Sequence, residues 1–512
     1  MRNAAILSFL SIASGCVADQ APPPFEPDQM PDPTNGRACD PSVPDCGAGY
    51  QCIAELGQHV CRPPNYMVAT PQRPGNPARR YDALVNGNYF PCGVPDRAFQ
   101  VLDAFGLVPS DGAKVPNELG RTGRNAELPY FFTAYTSPKG VPMVTVNCLF
   151  CHGGRVDGEL VVGLGDNAQD FTYPESISGG LASTASLAGS LVLSADESAE
   201  LDHFLDRFGV VAPRIQMNVK GANPGDLIPR ILGAYRQPDT LAWLSTPNAA
   251  ILPTTAPAAT NVPPWWRVAR KNQLYYVGEG YGDHARLLMS AAMYCADDTA
   301  SATKFDEMFV DVVAYIKSIE PPRYTRRVDA TKVATGKALF KERCSSCHGT
   351  YGQYASYPNR WVALDEVGTD PALAQQESSA RAAAFNTWYD ASWYGTAGPL
   401  ARIQPKLGYV APPLDGVWAT APFLHNGSVP NLDALLDSSK RPLYWTRNYS
   451  SSAFDEVAVG IRYSNVDRIT DDYDPNNVYD TTLPGQAADG HTYGDTLSDT
   501  ERAALIEYIK TL

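Results

Sequence analysis

The chain has 512 residues and a net charge of −14 at pH 7. This length predicts two or three domains, because a single hydrophobic core rarely grows beyond about 250–300 residues. Hydrophobic residues make up 44% and charged residues 19% of the chain, which excludes a mainly disordered or fibrous protein. An acidic chain without a cluster of Lys and Arg is also a poor nucleic-acid binder, so no such partner is expected.

Residues 1–16 have the pattern of a secretory signal, with a basic residue before an apolar stretch from Ala4 to Ala13. Residues 14–16, Ser-Gly-Cys, resemble a bacterial lipobox, in which Cys16 becomes lipidated. Ala13 departs from the preferred Leu, and the alternative is signal cleavage without a lipid. We predict export to the periplasm or outer cell surface, with the membrane contacted only through this lipid. No other long apolar run occurs, which excludes a polytopic membrane protein.

Residues 17–38 are rich in proline and predict an extended linker. Residues 39–62 form a disulfide-rich segment, because exported chains oxidise closely spaced cysteines. Three pairings are possible and stay open, and a zinc site with four thiolates is the alternative. We predict a structural or interaction module here. Its cysteines are Cys39, Cys46, Cys52 and Cys61. Whether Cys92 pairs with Cys295 is also open.

Cys148, Cys151 and His152 form a C-x-x-C-H motif, the attachment pattern of c-type haem. Two thiols at this spacing reach the two vinyl groups of one porphyrin, and the adjoining His binds the iron. A thioredoxin-like motif does not explain the His. A zinc ribbon would need all the groups of both such motifs in this chain to converge.

Cys344, Cys347 and His348 repeat the motif, so the sequence predicts two covalently bound c-type haems. With 11 cysteines and 7 histidines in the chain, one chance occurrence of the pattern is expected about 0.003 times.

Helical patterns place the two motifs in separate domains. Apolar residues from Phe305 to Ile316 share one face, and Pro321 follows them. That helix closes a first c-type haem domain at residues 63–325. In a second domain at residues 326–512, the helix before the second motif contains Gly336, which permits close crossing by another helix.

The C-terminal helix is the predicted crossing partner. Its start carries a capping box, Ser498 and Glu501, and apolar residues follow at helical spacing. A helix before the motif packed on a helix at the chain end looks like the cytochrome c fold. The predicted fold class is therefore mainly α: two cytochrome c-like haem domains with long loops, preceded by the small disulfide-rich segment.

Five further residues are candidates for the first haem site: Trp265, Trp266, His284, Arg286 and Glu159. The Trp pair follows two prolines and could relay electrons or line an apolar pocket, with core packing as the alternative. His284 and Arg286 follow a Gly-rich segment that could place them over a haem face; a buried core His is the alternative. Glu159 is a possible acid or base, on its proximity in sequence alone.

The stretch GYVAPPLDGVWATAPFLHNGSVPNLDALL at 408–436 resembles the C-terminal signature of di-haem cytochrome c peroxidase-type proteins. Within that superfamily, TAPFLHNGSVPNL and YPNRWVALDEVGTDPA at 357–372 are most similar to the di-haem rubber-oxygenase-like branch. The resemblance covers about residues 325–440. It implies two cytochrome c-like domains with haems at their interface.

The resemblance also suggests axial ligands. For the second haem, His425 is the leading distal candidate, because rubber-oxygenase-like members place a His there. Tyr409 is the second candidate, and His425 could instead brace its loop. Peroxidases carry a distal His less than about twenty residues after the first motif. Here the next His is His203, predicted to be a surface or packing residue. His491, in an acidic loop, is expected to be exposed.

These observations favour a haem oxidoreductase of peroxidase or dioxygenase type. The first haem would be the reactive centre and the second an electron relay. The partners of the protein would be O2 or peroxide, an apolar substrate and a redox partner protein. The missing His near the first motif favours the oxygenase branch, which needs no distal acid. A non-catalytic electron-transfer cytochrome and a haem-bearing binding or sensing module are the alternatives.

Overall fold

The predicted leader 1–16, with Cys16, and most of the linker 17–38 fall outside the residues that the structure describes, so these stay predictions. Within the described ranges, no helix combines the length and the apolar character that a membrane crossing requires. The computed structural model describes residues 35–43, 45–106, 108, 120–173, 193–254, 256–353, 355–449, 454–468 and 474–512.

Helices and short strands are interspersed along the described chain, so the prediction of a mainly α protein is not confirmed. The helices are α1 (Arg80–Val85), α2 (Asp96–Ala104), α3 (Leu149–His152), α4 (Ala195–Val211), α5 (Ile228–Ala234), α6 (His284–Leu288), α7 (Thr299–Ile316), α8 (Ala330–Arg343), α9 (Ser345–His348), α10 (Leu364–Val367), α11 (Ala372–Glu377), α12 (Ala380–Ala391), α13 (Trp393–Thr396), α14 (Leu432–Leu435) and α15 (Asp499–Ile509). The strands are β1 (Gln51–Glu55), β2 (Gln58–Arg62), β3 (Val94–Pro95), β4 (Phe132–Thr136), β5 (Pro142–Val146), β6 (Arg155–Val156), β7 (Glu159–Leu160), β8 (Gly280–Gly282), β9 (Trp361–Ala363), β10 (Ala401–Ile403), β11 (Gly408–Val410), β12 (Tyr444–Arg447), β13 (Phe454–Asp455), β14 (Gly460–Ile461), β15 (Tyr463–Asn465) and β16 (Val478–Asp480).

The disulfide-rich segment is confirmed. Strands β1 and β2 pair antiparallel, with Cys52 opposite Cys61. Disulfides join Cys39 to Cys52 and Cys46 to Cys61, which selects one of the three possible pairings. Because all four sulfurs are in disulfides, the zinc alternative is wrong.

A first hydrophobic core surrounds α7, the helix predicted from the Phe305 pattern. Its buried face includes Phe305, Phe309, Val312 and Ile316. Asp298 caps its start by accepting a hydrogen bond from the Ser301 amide, which satisfies one of the free donors of the first turn. Beside α7, β5 lies between β3 and β4 in an antiparallel sheet, and this sheet leads into the first motif. A third disulfide, between Cys92 and Cys295, ties the sheet region to the residues before α7.

A second core forms where α8 crosses α15. The capping box of Ser498 and Glu501 is present at the start of α15, as predicted. At Gly336 in α8, a β-carbon would lie 2.0 Å from the carbonyl oxygen of Ala504 in α15. Only glycine allows the two helices to approach this closely, so the predicted crossing is confirmed.

Packing crosses the predicted domain boundary at 325/326. Phe385 and Tyr389 of α12 pack in the same cluster as Phe309 of α7. Trp445 and Tyr479 of the sheet β15–β12–β16 pack in a neighbouring cluster that includes Val312 of α7. Strand β10 also pairs with β8. The second half of the chain therefore helps to build the first core and its cavity.

Candidate haem sites

The first motif begins where β5 ends, and Asn147 fixes its backbone. The Asn147 Oδ1 accepts a hydrogen bond from the Leu149 amide at 2.9 Å. Its Nδ2 donates to the carbonyl oxygen of Tyr130 at 3.0 Å. The short helix α3 then places Cys151 and His152 one turn further on.

Cys148 and Cys151 fit the attachment of a haem. Both are free thiols, although six other described cysteines are in disulfides. Both line the same cavity. Burial raises the pKa of Cys148 to about 11 and that of Cys151 to about 12, so both are protonated at neutral pH. They are available for thioether bonds to one porphyrin.

His152 fits the role of iron ligand at this site. Burial lowers the pKa of His152 to about 3, so the imidazole is neutral, the form that binds metals. Its buried Nδ1 has no hydrogen-bond partner. The ring stacks on Trp265, with ring centroids 4.5 Å apart and planes inclined by 23°.

A cavity of about 420 Å³ adjoins the first motif, a volume within the range of ligand-binding pockets. Most of its wall is apolar and comes from both halves of the chain. One part of the wall is acidic. That part is formed by Asp226, Arg230, Glu279 and Glu377.

The acidic wall holds protons near neutral pH. Arg230 contacts Glu377 and lies 3.8 Å from the Glu279 carboxylate. Gln376 donates a hydrogen bond to Asp226 at 2.9 Å. Burial raises the pKa of Asp226 to about 6 against the opposing effect of Arg230. Burial and the charge of Asp226 raise the pKa of Glu279 to about 7.

Sequence reasoning missed this acidic wall, because nothing local marks it. Asp226 and Gln376 are 150 residues apart in the chain, and only the fold brings them together. The oxygenase branch was favoured because the sequence showed no distal acid near the first motif. The acidic wall supplies such groups, so this argument no longer favours an oxygenase over a peroxidase.

The second motif follows α8 directly and has a different environment. Cys344 and Cys347 are free thiols. The Nδ1 of His348 donates a hydrogen bond to the carbonyl oxygen of Pro412 at 2.8 Å. This bond fixes the tautomer and leaves Nε2 free for a metal, the arrangement expected of a ligating His. Burial lowers the pKa of His348, so its imidazole is neutral. Cys344, Cys347 and His348 therefore also fit the attachment of a haem.

His491 lies opposite His348, with ring centroids 6.2 Å apart. Two imidazoles that bind one metal from opposite sides, through bonds of about 2 Å, have centroids about 6 Å apart. The Nδ1 of His491 is buried without a partner, and burial lowers its pKa to about 4. The expectation that His491 is exposed is therefore wrong. Little in the sequence indicates that His491 lies near His348, because no fixed spacing relates a distal ligand in a loop to the C-x-x-C-H motif.

His425 and Tyr409, the two candidate ligands of the second haem, contact each other. Their rings stack with centroids 4.0 Å apart. The Tyr409 hydroxyl donates to the carbonyl oxygen of Asp370 at 2.6 Å, so it is engaged in a structural bond. His425 also lies 6.4 Å from Tyr276, part of the wall of the first cavity. Its buried Nε2 has no partner, and its role as a ligand stays a prediction.

His284 and Arg286 are not placed over a haem face. Neither lines the cavity. The His284 Nε2 lies 3.3 Å from the carbonyl oxygen of Asn272, and Arg286 forms a buried ion pair with Asp306 at 2.9 Å. They support the backbone around α6 and α7.

Glu159, the predicted acid or base, is exposed in β7 and does not line the cavity. It lies in the short β6–β7 hairpin. Proximity in sequence was therefore a poor guide, because the chain turns away from the site after α3.

Trp265 and Trp266 have different partners. They begin a 3-10 helix at Trp265–Arg270. Trp265 stacks on His152, whereas the Trp266 indole donates to the carbonyl oxygen of Asp415 at 2.8 Å. Asp415 lies three residues after Pro412, which holds His348. Trp265 thus contacts the first motif, and Trp266 contacts the segment that follows Pro412.

Two family models match the second half of the chain. The model for cytochrome c matches residues 333–405, which include the second motif. The model described as RoxA-like, cytochrome c-like matches residues 408–446. These matches indicate covalently bound c-type haem and a haem-bearing oxidoreductase or electron-transfer protein. They support the RoxA-like di-haem branch.

Two proteins of Sinorhizobium fredii (strain NBRC 101917 / NGR234) are similar to the chain. Uncharacterized protein y4iJ is 31% identical over 259 residues, which span 38% of this chain and 41% of that protein. Uncharacterized protein y4iM is 28% identical over 335 residues, which span 57% of this chain and 73% of that protein.

Proposed function

We propose that the chain is an exported di-haem c-type cytochrome that acts as a haem-dependent oxidoreductase of peroxidase or dioxygenase type. The first motif would hold the reactive haem and the second motif the electron relay. The observation that carries the proposal is the contrast between the two histidines. His348 faces a second imidazole, His491, whereas His152 borders a cavity of about 420 Å³.

The residues of the first site suit a reaction with a small oxidant. An iron with a free sixth position binds O2 or peroxide, whereas a six-coordinate iron passes electrons. His152 would hold the cofactor, and the apolar wall would exclude water from it. Asp226, with its pKa raised to about 6, would move a proton to or from the oxidant, since a pKa near the working pH suits a general acid.

The second site would receive electrons from a redox partner protein. His348 and His491 would hold that haem. Trp265 stacks on His152 and Trp266 donates to the carbonyl oxygen of Asp415, so this pair would relay electrons toward the first site. An apolar organic substrate fits the apolar part of the cavity wall. The proposed location is the periplasm or outer cell surface, with Cys16 as the lipid anchor.

Two alternatives make different predictions. A non-catalytic electron-transfer cytochrome would have two six-coordinate haems and no reaction with an oxidant. A binding or sensing module would act through the disulfide-rich segment at 39–62. The cavity with its proton-holding wall supports the enzyme over both, because neither alternative requires it.

The test is oxidant consumption by two matched double variants, Cys148→Ala/Cys151→Ala and Cys344→Ala/Cys347→Ala. The reduced wild-type protein is expected to consume hydrogen peroxide or O2. The first variant should lose this reaction entirely. The second should still react once when chemically reduced but fail to turn over with an electron-donor protein. A wild-type protein inert to both oxidants would exclude the enzyme and leave the carrier.

A further inference from the structure

The acidic wall of the first cavity is one connected cluster of side chains. Arg230 of α5 contacts Glu377 of α11 and lies 3.8 Å from the Glu279 carboxylate. Asp226, four residues before Arg230, accepts a hydrogen bond from Gln376, the neighbour of Glu377, at 2.9 Å. All of these except Gln376 line the cavity. The wall therefore gathers three carboxyl groups around a single guanidinium.

Hydrogen-bond acceptors are left unpaired in this wall. Glu279 is 8% exposed, and its Oε2 has no hydrogen-bond partner among the described residues. The Oδ1 of Asp226 lacks one in the same part of the chain. Leaving a buried carboxylate oxygen unpaired is costly, so such groups call for a partner. Since Glu377 already contacts Arg230, the partner missing at Glu279 is a group that donates hydrogen bonds and carries positive charge.

Aromatic side chains of α12 form a neighbouring part of the cavity wall. Phe385 packs against α5, since a β-carbon on Gly233 would lie 2.9 Å from its ring. Tyr389 lies one helical turn after Phe385 and lines the same cavity. It is 1% exposed, and its hydroxyl has no hydrogen-bond partner within the described ranges. Aromatic faces attract cations, and the phenol oxygen is a further acceptor for a donating group.

A haem held by the first motif would not supply this positive group. The polar groups of a haem are two carboxylates, which accept hydrogen bonds just as the acidic wall does. They suit Lys271 instead, which lines the cavity from the segment after the 3-10 helix Trp265–Arg270. The ammonium of Lys271 has no hydrogen-bond or ion-pair partner in the described part of the chain. The acidic wall is therefore left for a second ligand.

We propose that the first cavity binds an organic substrate that carries a protonated amine at one end of an apolar chain. The ammonium would lie against Glu279, with the Tyr389 hydroxyl as a further acceptor, and the chain would follow the apolar part of the wall. Asp226 would remain available for the proton step of the proposed function. The inference rests on that function for the reaction and narrows the class of its organic substrate.

The first test compares three ligands that share one chain length. Isothermal titration calorimetry measures the binding of n-octylamine, octan-1-ol and octanoate to the oxidised protein with both haems attached. At about pH 7 the amine is protonated, since alkylammonium groups have a pKa of about 10.4. The amine should bind about tenfold more tightly than the alcohol, because a charge-assisted hydrogen bond is stronger than a neutral one. Octanoate should bind most weakly, since the acidic wall repels it.

The second test uses variants of the wall with the same three ligands. Glu279→Gln should lower the affinity for n-octylamine about tenfold and leave that for octan-1-ol unchanged, which also shows that the cavity is intact. Tyr389→Phe, which keeps the ring and removes the hydroxyl, should lower the affinity for the amine about threefold. Glu159→Gln, at an exposed carboxylate outside the cavity, is the control and should change none of the affinities.

Equal affinities for the amine and the alcohol, or an undiminished affinity for the amine in Glu279→Gln, would overturn the amine site. Electron paramagnetic resonance of the same samples detects binding of the amine to an iron. A new low-spin signal that persists in Glu279→Gln would also overturn the site. A protein that binds n-octylamine as expected but reacts with neither peroxide nor O2 would overturn the proposed function alone.

Discussion

The two C-x-x-C-H motifs have the same five-residue pattern but lie in different environments. His348 donates a hydrogen bond to the carbonyl oxygen of Pro412, and the centroid of its ring lies 6.2 Å from that of His491. His152 stacks on Trp265 and borders a large cavity with an acidic wall. Local spacing therefore predicts where haem attaches, whereas residues from distant parts of the chain determine the surroundings of each motif.

The largest expected effect is the loss of one haem at a time. Cys344→Ala/Cys347→Ala should leave one haem per chain on Cys148 and Cys151, because each motif forms its own thioethers. The converse double variant should keep only the second haem. Haem content is measured in denatured protein by the pyridine haemochrome assay. Loss of both haems, or retention of both, would show that attachment is not separate.

The next effect separates His491 from His425. His491→Ala should convert the second haem from low-spin to high-spin, because it removes the imidazole opposite His348. His425→Ala is the matched control and should leave that signal in place. Electron paramagnetic resonance of the oxidised protein measures both. If only His425→Ala removes the low-spin signal, the second ligand is His425 and the pairing of His348 with His491 is wrong.

A third change tests the acidic wall of the first site. Asp226→Asn should lower the rate of reaction with peroxide or O2 by about 10²-fold, the lower end of the range for general acid–base groups. The absorption spectrum of the resting protein should be unchanged, since Asp226 is not an iron ligand here. A full rate in this variant would remove Asp226 from the mechanism.

The smallest effect compares helix packing in the two regions. Gly336→Ala should destabilise the protein by about 1–3 kcal/mol, because the new methyl group would meet the backbone of α15 at 2.0 Å. Gly209→Ala in α4 of the first region, where a β-carbon meets nothing within 4 Å, should instead stabilise by about 0.5–1 kcal/mol. Thermal unfolding measures both, and equal effects would contradict the close crossing.

Features that depend on neighbours in sequence were predictable. The capping box at Ser498 and the apolar face of α7 follow from helical spacing, and both are present. The disulfide-rich segment follows from its composition. Strands such as β8 and β10 were missed, because short strands far apart in the chain leave little pattern.

The functional groups around the haem sites depend on tertiary contacts, and there sequence reasoning placed residues badly. Glu159 is near the first motif in sequence but is exposed, whereas Asp226 and Glu377 reach the cavity from different segments. His284 and Arg286 are residue types common in active sites, but His284 contacts the carbonyl oxygen of Asn272 and Arg286 forms an ion pair with Asp306. Neither chemical type nor position along the chain was therefore enough to place these residues.

Cyanide titration of the oxidised protein, followed by electron paramagnetic resonance, tests the central claim most directly. The account predicts two distinguishable irons, of which only the one attached through Cys148 and Cys151 binds cyanide, while the iron between His348 and His491 stays low-spin and unchanged. Binding of cyanide first or only at the second iron, or at neither, would contradict it.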